Sequence, residues 1–126
     1  MTHDTSDRAI SQADIDRFAR ASGGTGLIHT DPEYARRTSY GATLVQGIYL
    51  FALIEGRLTE RHPDWPERGV LDVTFVGPVT AGSGLRIDIT GDPDDPGRLQ
   101  IRASTPDGEA VTGHAWLRGD PHPRTA

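Results

Sequence analysis

One segment decides most of what this chain can fold into. Leu44, Val45, Ile48, Leu50, Phe51, Ala52, Leu53, Ile54 and Leu58 leave almost no polar face in a helix until Glu55. A helix apolar nearly all round is buried on several sides, so the rest of the chain must wrap it. From Val70 onward the apolar period changes to two. Leu71, Val73, Phe75 and Val79 form one run, then Leu85, Ile87 and Ile89, then Leu99, Ile101 and Ala103, then Ala110 to Leu117. Ala81-Gly82-Ser83-Gly84, Asp92 to Gly97 and Pro106-Asp107-Gly108 punctuate these runs as turns. Pro78 lacks the N–H that a central ladder needs, so it marks a bulge or the end of the first strand. Helices followed by antiparallel strands on short hairpins make an α+β fold. One buried helix and about four strands predict a curved sheet wrapped around that helix.

Upstream, Ser11 to Ala21 reads as a short amphipathic helix, with Ile15, Phe18 and Ala19 on one face and Ser11 as N-cap three residues before Asp14. The glycines of Ser22-Gly23-Gly24-Thr25-Gly26 end it. Asp31-Pro32-Glu33 starts a second helix, with Asp31 as N-cap and Pro32 at its first position, and Tyr40-Gly41 closes it. Residues 1–8 are expected to be a flexible arm, residues 9–119 a single domain and residues 120–126 a flexible tail, with His3 and His122 solvated. A length of 126 residues suits one domain. With 35% hydrophobic and 6% aromatic residues, its core must be small and aliphatic.

Composition excludes several chemistries. There is no cysteine for a disulfide or a thiolate, and all 13 basic residues are arginine, so no lysine can form a Schiff base. A net charge of −5 argues against nucleic acid as a partner. The polar, acidic start is unlike a secretory signal, and Ile48 to Ile54 is too short to span a bilayer, so a cytoplasmic protein with no membrane partner is expected. No pair of histidines has a metal-like spacing with a carboxylate, so no metal is expected. Gly23, Gly24 and Gly26 are a weak phosphate-loop signal, because no strand precedes them and no lysine follows. His62, beside Pro63, and His114, in the last strand, read as structural.

Two runs carry a resemblance. The first is Phe18-Ala19-Arg20-Ala21-Ser22-Gly23-Gly24-Thr25-Gly26-Leu27-Ile28-His29-Thr30-Asp31. The second is Tyr34-Ala35-Arg36, followed by Tyr40-Gly41-Ala42-Thr43-Leu44-Val45-Gln46-Gly47. Together they resemble the MaoC-like, (R)-specific enoyl-CoA hydratase family, which has the hot-dog fold. The strand Val73 to Val79 with the turn through Gly82, and the hairpin Asp107 to Val111, are similar to the family's later elements. The likeness covers residues 10–118, and its spacing is kept without a gap from Phe18 to Gly47.

The resemblance implies an acyl thioester as substrate, carried on coenzyme A or the phosphopantetheine of an acyl-carrier protein, and no separate cofactor. It implies water addition or removal across the α,β double bond by an aspartate–histidine pair, with a backbone N–H at the start of the buried helix polarising the carbonyl. His29 matches the catalytic histidine. Gly24 stands at the position of the aspartate, Gly26 at that of the asparagine, Leu27 at that of the proline, and Gln46 at that of the histidine before Gly47. Gln46 and Gly47, with Tyr40 and Gly41, are the candidate oxyanion and substrate-binding residues, and Asp31 and Tyr49 are possible auxiliaries. Each has a structural alternative: Asp31 as helix cap, Gln46 as a partner for loop backbone, Gly47 as a close-packing residue, Tyr40 and Tyr49 as packing.

Three functions follow. The first is a hydratase/dehydratase of specialised substrate; the second is a non-catalytic, acyl-binding subunit beside an active hot-dog partner; the third is a thioesterase, isomerase or cyclase on the same scaffold. A homodimer or heterodimer of hot-dog domains is implied in each case.

Overall fold

The computed structural model describes residues 3–119. In chain order the elements are β1 (His3–Ala9), α1 (Gln12–Ser22), α2 (Leu27–Thr30), α3 (Pro32–Arg36) and α4 (Gly47–Arg61). They are followed by α5 (Trp65–Arg68), β2 (Gly69–Phe75), β3 (Gly84–Gly91), β4 (Arg98–Thr105) and β5 (Gly108–Leu117). The five strands form one antiparallel sheet in the order β1-β3-β4-β5-β2. The α+β class and the sheet packed on one long helix are as the apolar periods predict. The expected tail at 120–126, with His122, lies outside the described residues, as do Met1 and Thr2.

The start of the chain differs from the expected arm. His3–Ala9 is a strand paired along its whole length with β3, from His3 opposite Thr90 to Ala9 opposite Gly84. Its sequence, HDTSDRA, shows no apolar alternation, because the residue facing the helix is charged. Asp4 is buried, and its carboxylate receives Arg57 of α4, Nε to Oδ2 at 2.8 Å, with Arg61 Nη1 3.7 Å away. This pairing holds the Asp4 carboxyl below the usual aspartate range, the Arg57 hydrogen bond being the main cause and outweighing burial. A depressed carboxyl stabilises the fold above its unfolded pKa and loses that contribution as pH falls through the folded value. Urea unfolding of Asp4→Asn is therefore expected to show a shallower loss of stability below about pH 4 than the wild type. Equal slopes in both proteins would show that the pair does not couple β1 to α4.

The long helix also differs from expectation. It begins at Gly47, not Leu44, because the backbone before it is already engaged elsewhere. Leu44 N–H donates to Ile28 O at 3.0 Å, Val45 N–H to Val79 O at 2.8 Å, and Leu44 bridges Thr80. Nor is α4 buried on several sides. Leu50, Ile54 and Leu58, one turn apart, are its buried stripe against Ile87, Ile89, Ile101, Ala103, Val111 and Ala115 of the sheet. Each such side chain contributes about 1.5–3 kcal/mol by leaving water. Ile48, by contrast, is 59% exposed, and Ala52 is exposed too. One sheet covers one side of a helix, and the apolar residues on the other side face outward.

β2 ends at Phe75, before Pro78, so the proline falls outside the ladder. Gly113 of β5 sits where a Cβ would overlap the Asp72 carbonyl and crowd Val73 of β2. Backbone, not a mobile side chain, fills that space. Gly113→Ala is expected to destabilise the fold by about 1–3 kcal/mol in urea unfolding; a neutral result would mean that β2 and β5 separate more readily than their full register implies.

Candidate functional site

The glycine loop and its neighbours are built from local chemistry. Ser11 caps α1, its Oγ accepting the Asp14 N–H, while Asp14 Oδ2 accepts the Ser11 N–H, both at 3.1 Å. Gly23, at φ +81°, ends α1 in the left-handed region that suits glycine. A short helix that the sequence reading missed, α2, then carries His29, and Asp31 begins α3. The Asp31 carboxylate accepts the Glu33 and Tyr34 N–H groups at 3.0 and 3.2 Å. The cap expected of Asp31 is therefore present, and its Oδ1 is turned onto the helix rather than toward His29.

His29 is half-buried and fixed at both ends. Its Nδ1 lies 2.8 Å from the Leu44 carbonyl. A carbonyl only accepts, so Nδ1 carries the proton and the neutral ring keeps its lone pair on Nε2. The backbone carbonyl of His29 accepts from Gln12 Nε2 at 2.9 Å, and Gln12 Oε1 in turn accepts from the buried Thr43 hydroxyl. With Leu44 N–H bound to Ile28 O, the histidine segment is tied twice to the strand-like residues that lead into α4. Gln12, Thr43 and the Leu44 carbonyl carry no sequence signal for this role. An apolar leucine does not advertise its backbone acceptor, and Gln12 lies 17 residues from His29.

The start of α4 lies at the end of the same segment. Gln46 is its N-cap residue and Gly47 opens the helix, whose first N–H groups have no intrahelical acceptor. Gln46 is 3% exposed, and its Nε2 donates to the Ile15 carbonyl of α1 at 3.1 Å. That carbonyl needs a donor, which sets the amide orientation. The amide thus serves backbone, as the structural alternative has it, and its Oε1 is left buried with no hydrogen-bond partner. Gly24 neighbours it: a Cβ there would lie 3.8 Å from Gln46 Cγ and 3.3 Å from Ser22 Oγ. At Gly26 a Cβ would stand 3.7 Å from His29 Cδ2, and at Gly47 it would meet the Phe75 ring at 3.4 Å. His29, Gly24, Gly26, Gln46 and Gly47 thus share one neighbourhood of loop and helix start.

The other candidates lie further out. Tyr40 is 50% exposed and Gly41 has φ +72°, in a turn beyond α3, which ends at Arg36 rather than at Tyr40-Gly41 as the sequence reads. Tyr49 stacks on Phe18 with ring centroids 4.6 Å apart and planes 4° from parallel, a packing contact between α1 and α4. His62 is the C-cap residue of α4, and His114 Nε2 lies 3.8 Å from Asp92 Oδ2. Among the described residues no cluster of three or more histidine or acidic side chains is placed to hold a metal, and no helix is long and apolar enough to cross a membrane.

Comparison with known proteins places this geometry. A 3-hydroxyacyl-thioester dehydratase Z of Mycobacterium tuberculosis is 34% identical over 85 residues, 61% of this chain and 54% of that protein. The chain thus spans about half the length of the curated relatives it matches. The (R)-hydratase of A. caviae involved in PHA biosynthesis superposes with a TM-score of 0.74 at 23% identity, over 92% of this chain and 94% of that one. A chain of the ChsH1-ChsH2 complex of Mycobacterium tuberculosis does so at 0.69 and 14% identity, over 93% and 96%. At these identities the likeness establishes the fold, which is the hot dog that the resemblance implied. A family model described as "MaoC like domain" matches residues 1–111. That match runs over most of the chain, and this chain belongs to the MaoC-like domain family.

Proposed function

We propose that the chain is an enoyl-thioester hydratase or 3-hydroxyacyl-thioester dehydratase in which His29 is the sole side-chain acid/base. The observation that carries this reading is the bond from His29 Nδ1 to the Leu44 carbonyl. It leaves Nε2 as a base on a rigid mount at the entrance to α4, where the Gly47 N–H is available to a thioester oxygen as negative charge develops there. In hydration Nε2 removes a proton from water as the water attacks the β-carbon, and the protonated ring returns a proton to the α-carbon. Dehydration is the reverse.

Gly24 stands where relatives by motif carry the aspartate, and a Cβ there would lie 3.8 Å from Cγ of Gln46, whose Oε1 is buried with no hydrogen-bond partner. The substrate is an acyl group on coenzyme A or a carrier-protein pantetheine, a thioester of the kind named for the dehydratase Z relative. The deciding assay follows a short enoyl-CoA in two channels. Loss of enoyl absorbance without thiol release is the expected result. Thiol release at an equal or greater rate would overturn the reading in favour of a thioesterase.

A second reading, an acyl-binding subunit of a hot-dog pair, has an observation of its own. β2 is an edge strand with β5 on one side only, and Phe75 and Val76 at its end are 50% and 51% exposed, with Phe75 against Gly47 and Ile48 next in sequence at 59%. An apolar sheet edge of this kind is a template for another strand. A second hot-dog domain is the occupant we propose, either a copy of this chain or a homologue. Sedimentation at twice the chain mass, with activity in that species, supports the homodimer. Activity that appears only after mixing with an aspartate-bearing homologue supports the subunit reading.

A further inference from the structure

The end of α4 opposite His29 carries a feature that thioester chemistry does not use. Fifteen residues of helix run from Gly47 to Arg61, about 21 Å at 1.5 Å per residue. Beyond the C-terminal end, between α5, the β3–β4 turn and the end of β5, lies a cavity of about 300 Å³. Its apolar walls include Trp65, Leu99 and Trp116, and its polar groups include His62, Asp92 and Arg98. That volume is at the small end of ligand sites, which are mostly apolar with a few placed polar groups.

The polar groups are unusual in what they lack. His62 Nε2 and Arg98 Nε are both buried with no hydrogen-bond partner. A buried donor left unpaired loses its water without a replacement, so a native structure rarely keeps two on one wall without a use. The walls are also held in place. Trp65 Nε1 donates to Glu55 Oε2 of α4 at 2.6 Å, and the Arg98 guanidinium lies 4.4 Å above the Trp116 ring. Charge narrows the class of ligand. Asp95, fully buried, sits 3.6 Å from Arg98 Nη1 and already matches the one guanidinium, and Asp92 adds a second carboxylate to the cavity wall. An anion would meet net repulsion, whereas a neutral carbonyl oxygen would pair the two donors once each side chain turns slightly toward the cavity.

We propose that this cavity is a second binding site, separate from His29, for a small neutral molecule with a flat apolar body and a carbonyl acceptor, such as an aryl carboxamide. The body lies against Trp65 and Leu99, and the carbonyl accepts from Arg98 Nε and from His62 Nε2 in its Nε2–H tautomer. The site does not depend on the reaction proposed at His29.

The chain supplies its own reporter, since its two tryptophans, Trp65 and Trp116, both line this cavity. Titration of the full chain with phenylacetamide should change tryptophan fluorescence saturably, and isothermal calorimetry should give the same midpoint. Phenylacetate should bind at least about tenfold more weakly because of the two carboxylates. Arg98→Met, which keeps an apolar side chain beside Trp116 but removes the guanidinium, should weaken phenylacetamide about tenfold with unchanged circular dichroism. Leu99→Phe should narrow the cavity and weaken the response. Linear, unsaturable quenching by phenylacetamide would overturn the proposal, as would undiminished binding in Arg98→Met. Phenylacetate binding as tightly as the amide would overturn the assigned ligand class. Competition between phenylacetamide and an enoyl thioester would place the amide at His29 and overturn a separate site.

Discussion

Replacing His29 with alanine is expected to lower enoyl-thioester hydration by ~100- to 10,000-fold, the usual contribution of a positioned acid/base. The loss should fall on kcat rather than on KM, because the imidazole handles protons in flight and is not the main contact with the acyl group. The fold should survive. Removing the ring gives up one hydrogen bond to the Leu44 carbonyl, about 1 kcal/mol. Leu44 keeps its own N–H bond to Ile28, and the His29 backbone keeps Gln12. Thermal unfolding within a few degrees of wild type, together with the rate loss, is the expected pair of results. An unchanged rate in a folded variant would remove His29 from the chemistry.

Gly24→Asp is expected to act in the opposite direction and to raise the hydration rate by ~100- to 10,000-fold if the glycine is all that limits this chain. The site has room for it. Gly24 does not hold the left-handed backbone that favours glycine, unlike Gly23 one residue earlier. A Cβ meets only Ser22 Oγ at 3.3 Å and Gln46 Cγ at an ordinary 3.8 Å. The serine hydroxyl hangs on a single rotor, bonded to Phe18 O at 2.7 Å, and can give by the few tenths of an ångström required. The new carboxylate would arrive beside Gln46, where an amide oxygen already lacks a donor, so a water shared between the two would satisfy both. A gain in hydration would identify a reduced but intact active centre. No gain in a folded Gly24→Asp variant, with activity restored only by an aspartate-bearing partner, would favour the acyl-binding subunit.

Much of this neighbourhood was legible in the chain because it depends on near neighbours. The capping box of Ser11 and Asp14, the break at Gly23 and the Asp31-Pro32 helix start are each settled within four residues, and each formed as read. The position of His29 between loop and helix was legible from spacing. The short helix beneath it and the carbonyl that fixes its tautomer were not, because that carbonyl lies 15 residues away on a leucine. Gln46 was left with two readings, and the acceptor that decides between them, Ile15 O, is 31 residues distant.

β1 and α4 mark the same boundary at larger scale. His3–Ala9 has the composition of a solvated arm, and it is a strand because β3 offers an open edge and α4 offers Arg57 to Asp4. The apolar run from Leu44 to Leu58 was enough to place a long helix against a sheet. It did not determine how much of the helix the sheet covers, which is why Ile48 is exposed although its side chain is as apolar as that of Ile54.

The resemblance of its motifs singled out the histidine on which the proposed chemistry turns, and the sequence by itself determined the α+β class, the period-two strands and the helix caps. These rest on local propensity and hydrophobic period, which act over a few residues. Tertiary structure alone decided the fifth strand, the Nδ1–H tautomer of His29, the bond of the Gln46 amide to the Ile15 carbonyl and the tryptophan-lined cavity at the far end of α4. Each of these depends on a partner brought close by folding, and hydrogen-bond donors, acceptors and packing surfaces at that range leave no periodic trace in the chain.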